Sequence, residues 1–78
     1  MQFGARLTAL RLARHWTQVE LARRAGLSQG TISHLEQGTR QPSLLTLHYL
    51  ATAFGLPLDQ FLGALERATP VLNRDWSL

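Results

Sequence analysis

The chain has 78 residues, no cysteine and a net charge of +3. That length makes one domain, near the lower limit at which a single core folds unaided, and the lack of thiols excludes a disulfide framework or a thiolate metal site. With no membrane-length apolar run, no charged-then-apolar leader and 45% hydrophobic residues, the expectation is a folded cytoplasmic protein without a membrane partner.

All eight basic residues are arginine, and they are unevenly spread. Through Gln41, Arg6, Arg11, Arg14, Arg23, Arg24 and Arg40 face only Glu20 and Glu36, a surplus of +4. From Pro42 onward Arg67 and Arg74 meet Asp59, Glu66 and Asp75, giving −1. The positive half suits a polyanion such as DNA, for which phosphate neutralisation supplies much of the binding free energy. By charge alone, a merely solvated arginine-rich surface fits as well.

The first predicted helix runs from about Gln2 to Arg14. Phe3, Leu7 and Leu10 recur at i, i+4, i+7 and face the core, Arg6 and Arg14 are expected in water, and Arg11 lies one step off the stripe. Thr17-Gln18-Val19-Glu20 then reads as a capping box, with Trp16 and Leu21 as the two ends of a hydrophobic staple. Leu21, Ala22 and Ala25 form the buried face of the second helix, and Gly26 ends it. Ser28 caps a third helix whose inward anchors are Ile32 and Leu35. Its free faces carry Gln29, Gly30, Thr31, Ser33 and His34, short or amide side chains suited to base edges. Two short helices joined by a tight glycine turn lay one polar helix face into a DNA groove.

Past the loop Thr39-Arg40-Gln41-Pro42, Ser43 caps a fourth helix with the stripe Leu44, Leu47, Leu50, Ala51 and Phe54, stopped by Gly55. Leu56 and Pro57 turn the chain into a fifth helix, about Leu58 to Ala68, with Leu58, Phe61, Leu62 and Leu65 on one side. Pro70 breaks it. The expected organisation is an all-α domain over residues 1–68, then a tail 69–78 to which no period assigns a structure.

These residues resemble the helix-turn-helix domain of Cro and lambda-repressor type, also called the xenobiotic-response-element family. The likeness covers about Phe3 to Leu65, with Arg11, Gln18, Leu21-Ala22, Gly26, Ile32, Leu35-Glu36, Gly38, Pro42-Ser43 and Leu47 all in register. It implies a compact five-helix fold in which the second and third helices form the motif. It implies that Arg11 pairs with Glu36 and locks the first helix to the third. It also implies that Gln18 braces Gln29 while holding a phosphate. Ser28, Gln29, Gly30, Thr31, Ser33 and His34 become the base-contacting set. Gly30 departs from the family, where a polar side chain commonly reads a base, and offers only close approach or an empty space. Thr17, Gln18, Gln37, Thr39 and Arg40 become backbone contacts, the first two at a helix N-terminus that attracts phosphate. Pro57 replaces the Ser or Thr with which many relatives cap the fifth helix.

Enzymatic readings fail. Ser33, His34 and Glu36 lie on one helix, where adjacent side chains diverge by about 100°, whereas a triad converges from separate elements. His15, His34 and His48 are too scattered for a metal site. No cofactor motif and no phosphate loop is present, so neither a cofactor nor a metal is expected.

Family members usually act as dimers reading half-sites about 34 Å apart. The surplus apolar residues of the C-terminal part, Phe61, Leu62, Leu65, Val71, Leu72 and Trp76, are the expected dimer surface. Two functions fit: a homodimeric transcriptional regulator, a repressor by preference, on a near-palindromic operator, or an antitoxin-like module that holds a protein partner and autoregulates. A tail of only about ten residues tilts the balance to the first.

Overall fold

The computed structural model describes residues 2–68. Five helices follow one another: α1 Phe3–Ala13, α2 Gln18–Ala25, α3 Gln29–Gln37, α4 Leu44–Ala53 and α5 Leu58–Arg67, with no strand among the described residues. The expected all-α class and helix order hold, with ends shifted by at most a residue.

Three helices start on the hydroxyl caps that the sequence marks. Thr17 Oγ1 accepts the Glu20 amide at 3.0 Å, Ser28 Oγ that of Thr31 at 3.0 Å, and Ser43 Oγ that of Thr46 at 3.1 Å. Each occupies one of the amide donors that a helix start leaves without a partner. The box at Thr17 is half-made. The Glu20 carboxylate turns to the Arg23 and Arg24 guanidiniums instead of reaching back to the Thr17 amide. Gly26 and Gly38 close α2 and α3 in the left-handed region, at φ 72° and 83°. At the end of α1, His15 takes that role at φ 59°. The His15 amide donates to Leu12 O and the Trp16 amide to Arg11 O, the Schellman pair of bonds on a residue that carries a Cβ.

Leu7, Leu21, Ile32, Leu35, Leu50, Phe61 and Leu65 are fully buried where the five helices meet, with Ala22, Ala25, Ala51 and Phe54 between them. The Trp16, Phe54 and Phe61 rings stand in sequence at 5.1 and 5.6 Å, joining the start of α2 to the end of α4 and the first turn of α5. The α4 stripe is shorter than expected. Leu47, Leu50, Ala51 and Phe54 face inward, but Leu44 is 65% exposed and Leu45 58%, so the first turn of α4 projects beyond the helices that cover the rest.

Two features of α1 depart from the sequence reading. Arg6, expected in water, reaches α5, where its Nη1 donates to the carbonyls of Leu65 (3.0 Å), Glu66 (2.7 Å) and Ala68 (3.0 Å). A helix end leaves four carbonyls without partners and carries partial negative charge, which a guanidinium beside the core stripe can meet. The second feature is Gly4. A Cβ there would lie within 2.6 Å of the Leu35 carbonyl oxygen and closer still to that of Glu36. α1 therefore crosses the C-terminal end of α3 with backbone on backbone, which seats α3 in the domain.

Candidate nucleic-acid interface

One hydrogen-bonded chain runs from α1 to the exposed start of α3. Arg11 Nη1 donates to Trp16 O at 2.8 Å, and the same guanidinium grips the Glu36 carboxylate, Nε to Oε2 at 2.7 Å and Nη2 to Oε1 at 3.1 Å. The pair is largely buried, with side chains 12% and 6% exposed. Glu36 Oε1 also accepts from Gln18 Nε2 at 3.0 Å, and Gln18 Oε1 accepts from Gln29 Nε2 at 2.7 Å. A carboxylate only accepts, so it orients the Gln18 amide, which orients that of Gln29 in turn. Gln29 keeps one N–H and its carbonyl oxygen free, the pair of groups that matches adenine N7 and N6 in the major groove.

The other polar side chains of α3 are also held from within. Ser28 Oγ and Thr31 Oγ1 stand 2.9 Å apart, and Gln37 Nε2 donates to Ser33 Oγ at 3.1 Å. His34 Nδ1 lies 3.0 Å from Thr39 Oγ1. Thr39 therefore spends its hydroxyl on His34. Gly30 is exposed, and a Cβ there would meet only Ser28 Oγ at 3.9 Å, so nothing among the described residues demands glycine. The free surface of α3 is thus a row of pre-set polar groups with a gap at Gly30.

The arginines divide by what they touch. Arg6 and Arg11 are tied to α5 and Glu36. Arg14 donates to Phe54 O at 3.3 Å and covers the Phe54 and Trp16 rings. Arg24 pairs with Glu20 at 2.6 Å, its guanidinium 4.5 Å from the Trp16 ring centre. The hydrogen bond from Arg23, helped by both arginine charges, holds the Glu20 carboxyl below its usual range, and the same bond raises Arg23. Arg40, exposed beyond Gly38, forms no ion pair among the described residues. Among the described residues it is the arginine of the positive half without an ion pair, a side-chain hydrogen bond or a ring contact. Thr17 and Gln18 open the motif at the start of α2 and Gln37 closes it at the end of α3, with Gln18 bonded at both ends of its amide.

The C-terminal surface needs correction. Phe61 and Leu65 are fully buried in the chain's own core and cannot face a second copy, because the i, i+4 stripe of α5 is spent on packing against α1 and α4. Leu62, 37% exposed, remains. Val71, Leu72 and Trp76 lie outside the described residues. Four features were missed in the sequence: Arg6 on α5, Gly4 under α3, the Gln18–Glu36 bond and the ring-stacked Arg14. A glycine on the predicted core side of the first helix was the available signal for the second. The others had none.

A helix-turn-helix domain model matches residues 2–62. The chain belongs to the helix-turn-helix DNA-binding family. It is 38% identical to the immunity repressor protein of Bacillus phage phi105 over 63 residues, 81% of this chain and 44% of the repressor. It is 31% identical to the HTH-type transcriptional regulator SutR of Escherichia coli over 64 residues, 82% of this chain and 36% of SutR. The competence pilus inhibition repressor of Acinetobacter baylyi is 35% identical over 78 residues, 97% of this chain and 71% of that protein. The chain therefore spans less than half the length of the first two. No helix among the described residues is long and apolar enough to cross a membrane, and none of their acidic or histidine side chains cluster as a metal site would need.

Proposed function

We propose that the chain is the DNA-reading unit of a transcriptional repressor that binds a near-palindromic operator as a homodimer, with α3 in the major groove. The observation that carries this reading is the Gln18–Gln29 bond at 2.7 Å on a Gln18 held by Glu36. A surface glutamine has no need of such bracing, whereas a base reader gains from it because less side-chain entropy is lost on binding. Arg40 and the free amides at the start of α2 support phosphate contacts on either side, and the names of the relatives support repression.

The proposed contacts follow. Gln29, Ser33 and His34 touch base edges, Ser28 and Thr31 border the groove, and Gly30 leaves clearance. Thr17, Gln37 and Arg40 take phosphates together with the second N–H of Gln18, the Thr39 hydroxyl being left to His34, and Leu62 with Val71, Leu72 and Trp76 forms the dimer surface. Selection of bound sequences from a randomised duplex pool, with sedimentation of the complex, tests the reading. The expected result is an inverted repeat with half-sites about 34 Å apart bound by two chains. A pool that stays random, or a single chain on an asymmetric site, overturns it.

A further inference from the structure

His34 and Thr39 hold a detail that the general reading of α3 leaves open: which ring nitrogen of His34 carries the proton. Thr39 Oγ1 lies 3.0 Å from His34 Nδ1 and 3.3 Å from the His34 carbonyl oxygen, and it has one proton to give. That carbonyl already accepts the amide of Gly38 and the amide of Thr39, the latter at 3.1 Å. Two donors fill the two lone pairs of a carbonyl oxygen. The hydroxyl proton is better placed on Nδ1, which is closer and otherwise has no donor. A neutral imidazole that accepts at Nδ1 carries its own proton on Nε2. Nε2 has no hydrogen-bond partner among the described residues, and His34 is exposed.

We infer that Thr39 sets His34 in the Nε2–H form, so that His34 offers the groove a donor and selects a base pair presenting acceptors. Guanine is the best match, with N7 and O6 side by side on its major-groove edge, and cytosine, which presents an amino donor, is rejected. Thr39 acts as a positioning residue, and a threonine hydroxyl taken up in this way is not available to a phosphate. The inference rests on the proposed docking of α3 and deepens it by naming the base class at one operator position.

The test joins a spectroscopic readout to a binding one on the full chain. Long-range 1H–15N correlation of the 15N-labelled protein, at a pH where the ring is neutral, should give the Nε2–H pattern for His34. Thr39→Val should convert it to a mixture of both forms, and Thr39→Ser should restore the original. In randomised-duplex selection, His34→Ala should lose guanine preference at one position, roughly tenfold. Thr39→Val should admit cytosine or adenine at that same position. An Nδ1–H form in the unmodified chain, or a tautomer indifferent to Thr39→Val, overturns the inference. So does a selection in which Gln29→Ala relaxes one position but His34→Ala relaxes none, and that result leaves the operator reading standing. A pool that shows no base preference anywhere overturns both.

Discussion

Gln18 and Glu36 meet at 3.0 Å, Nε2 to Oε1, and through that bond a buried carboxylate governs the first exposed side chain of α3. Glu36 is also the partner of Arg11, so one residue serves both packing and readout. The two roles separate by substitution. Glu36→Leu or Arg11→Leu alone should destabilise the fold by about 3 kcal/mol, because each leaves an uncompensated charge beside Leu35. The double replacement should be milder than the sum, which denaturant titration of a double-mutant cycle measures. Additive losses would show that the pair contributes nothing as a pair.

Arg40 should act on affinity without acting on sequence. Arg40→Ala is expected to weaken binding to every duplex alike and to lower the slope of log K against log salt by about one unit. A changed base preference with an intact slope would make Arg40 a reader.

The two glycines of opposite setting predict opposite signs. Gly4→Ala forces a Cβ into the carbonyls of Leu35 and Glu36, and those are backbone atoms that cannot swing away. It should cost about 1–3 kcal/mol. Gly30→Ala meets open space and should raise fold stability by up to about 1 kcal/mol. If the clearance serves DNA, the same variant binds its operator less tightly despite melting higher. Calorimetry and anisotropy on the two variants check both signs.

Glu20 gives a small acid-sensitive contribution. Its folded-state pKa is depressed, by the Arg23 hydrogen bond first, so the stabilisation is present above the unfolded value near 4.5 and fades as pH falls through the lower folded value. Glu20→Gln should therefore lose stability relative to the parent at pH 7 and match it in strong acid. A constant difference between the two across that range would mean the arginine pairing plays no part.

The helix order was legible because local chemistry and periodicity agreed: three hydroxyl caps, glycine stops at Gly26 and Gly55, and stripes such as Leu21-Ala22-Ala25. Arg11–Glu36 and Gln18–Gln29 followed from resemblance, since spacing alone does not bring positions 25 or 11 apart together. Arg6 and Gly4 were illegible for a related reason. Their roles are set by what α5 and α3 present to α1, a matter of tertiary approach. The same limit explains Phe61 and Leu65. An apolar stripe on α5 does not say whether its own core or a second chain will cover it, and here α1 and α4 do.

The Arg6 guanidinium joins residues 59 to 62 positions away along the chain, so it fastens the two ends of the folded unit to each other. A clasp between ends closes a long loop, and such contacts form after the local helices are made. Its energy then belongs to the exit from the native state more than to the route in. Arg6→Met, which keeps much of the side-chain length without the donors, should leave the refolding rate nearly unchanged and quicken unfolding, as the two limbs of a chevron plot report. Ala68, which caps α5, is thus held beside α1 at a contact whose lifetime one arginine controls.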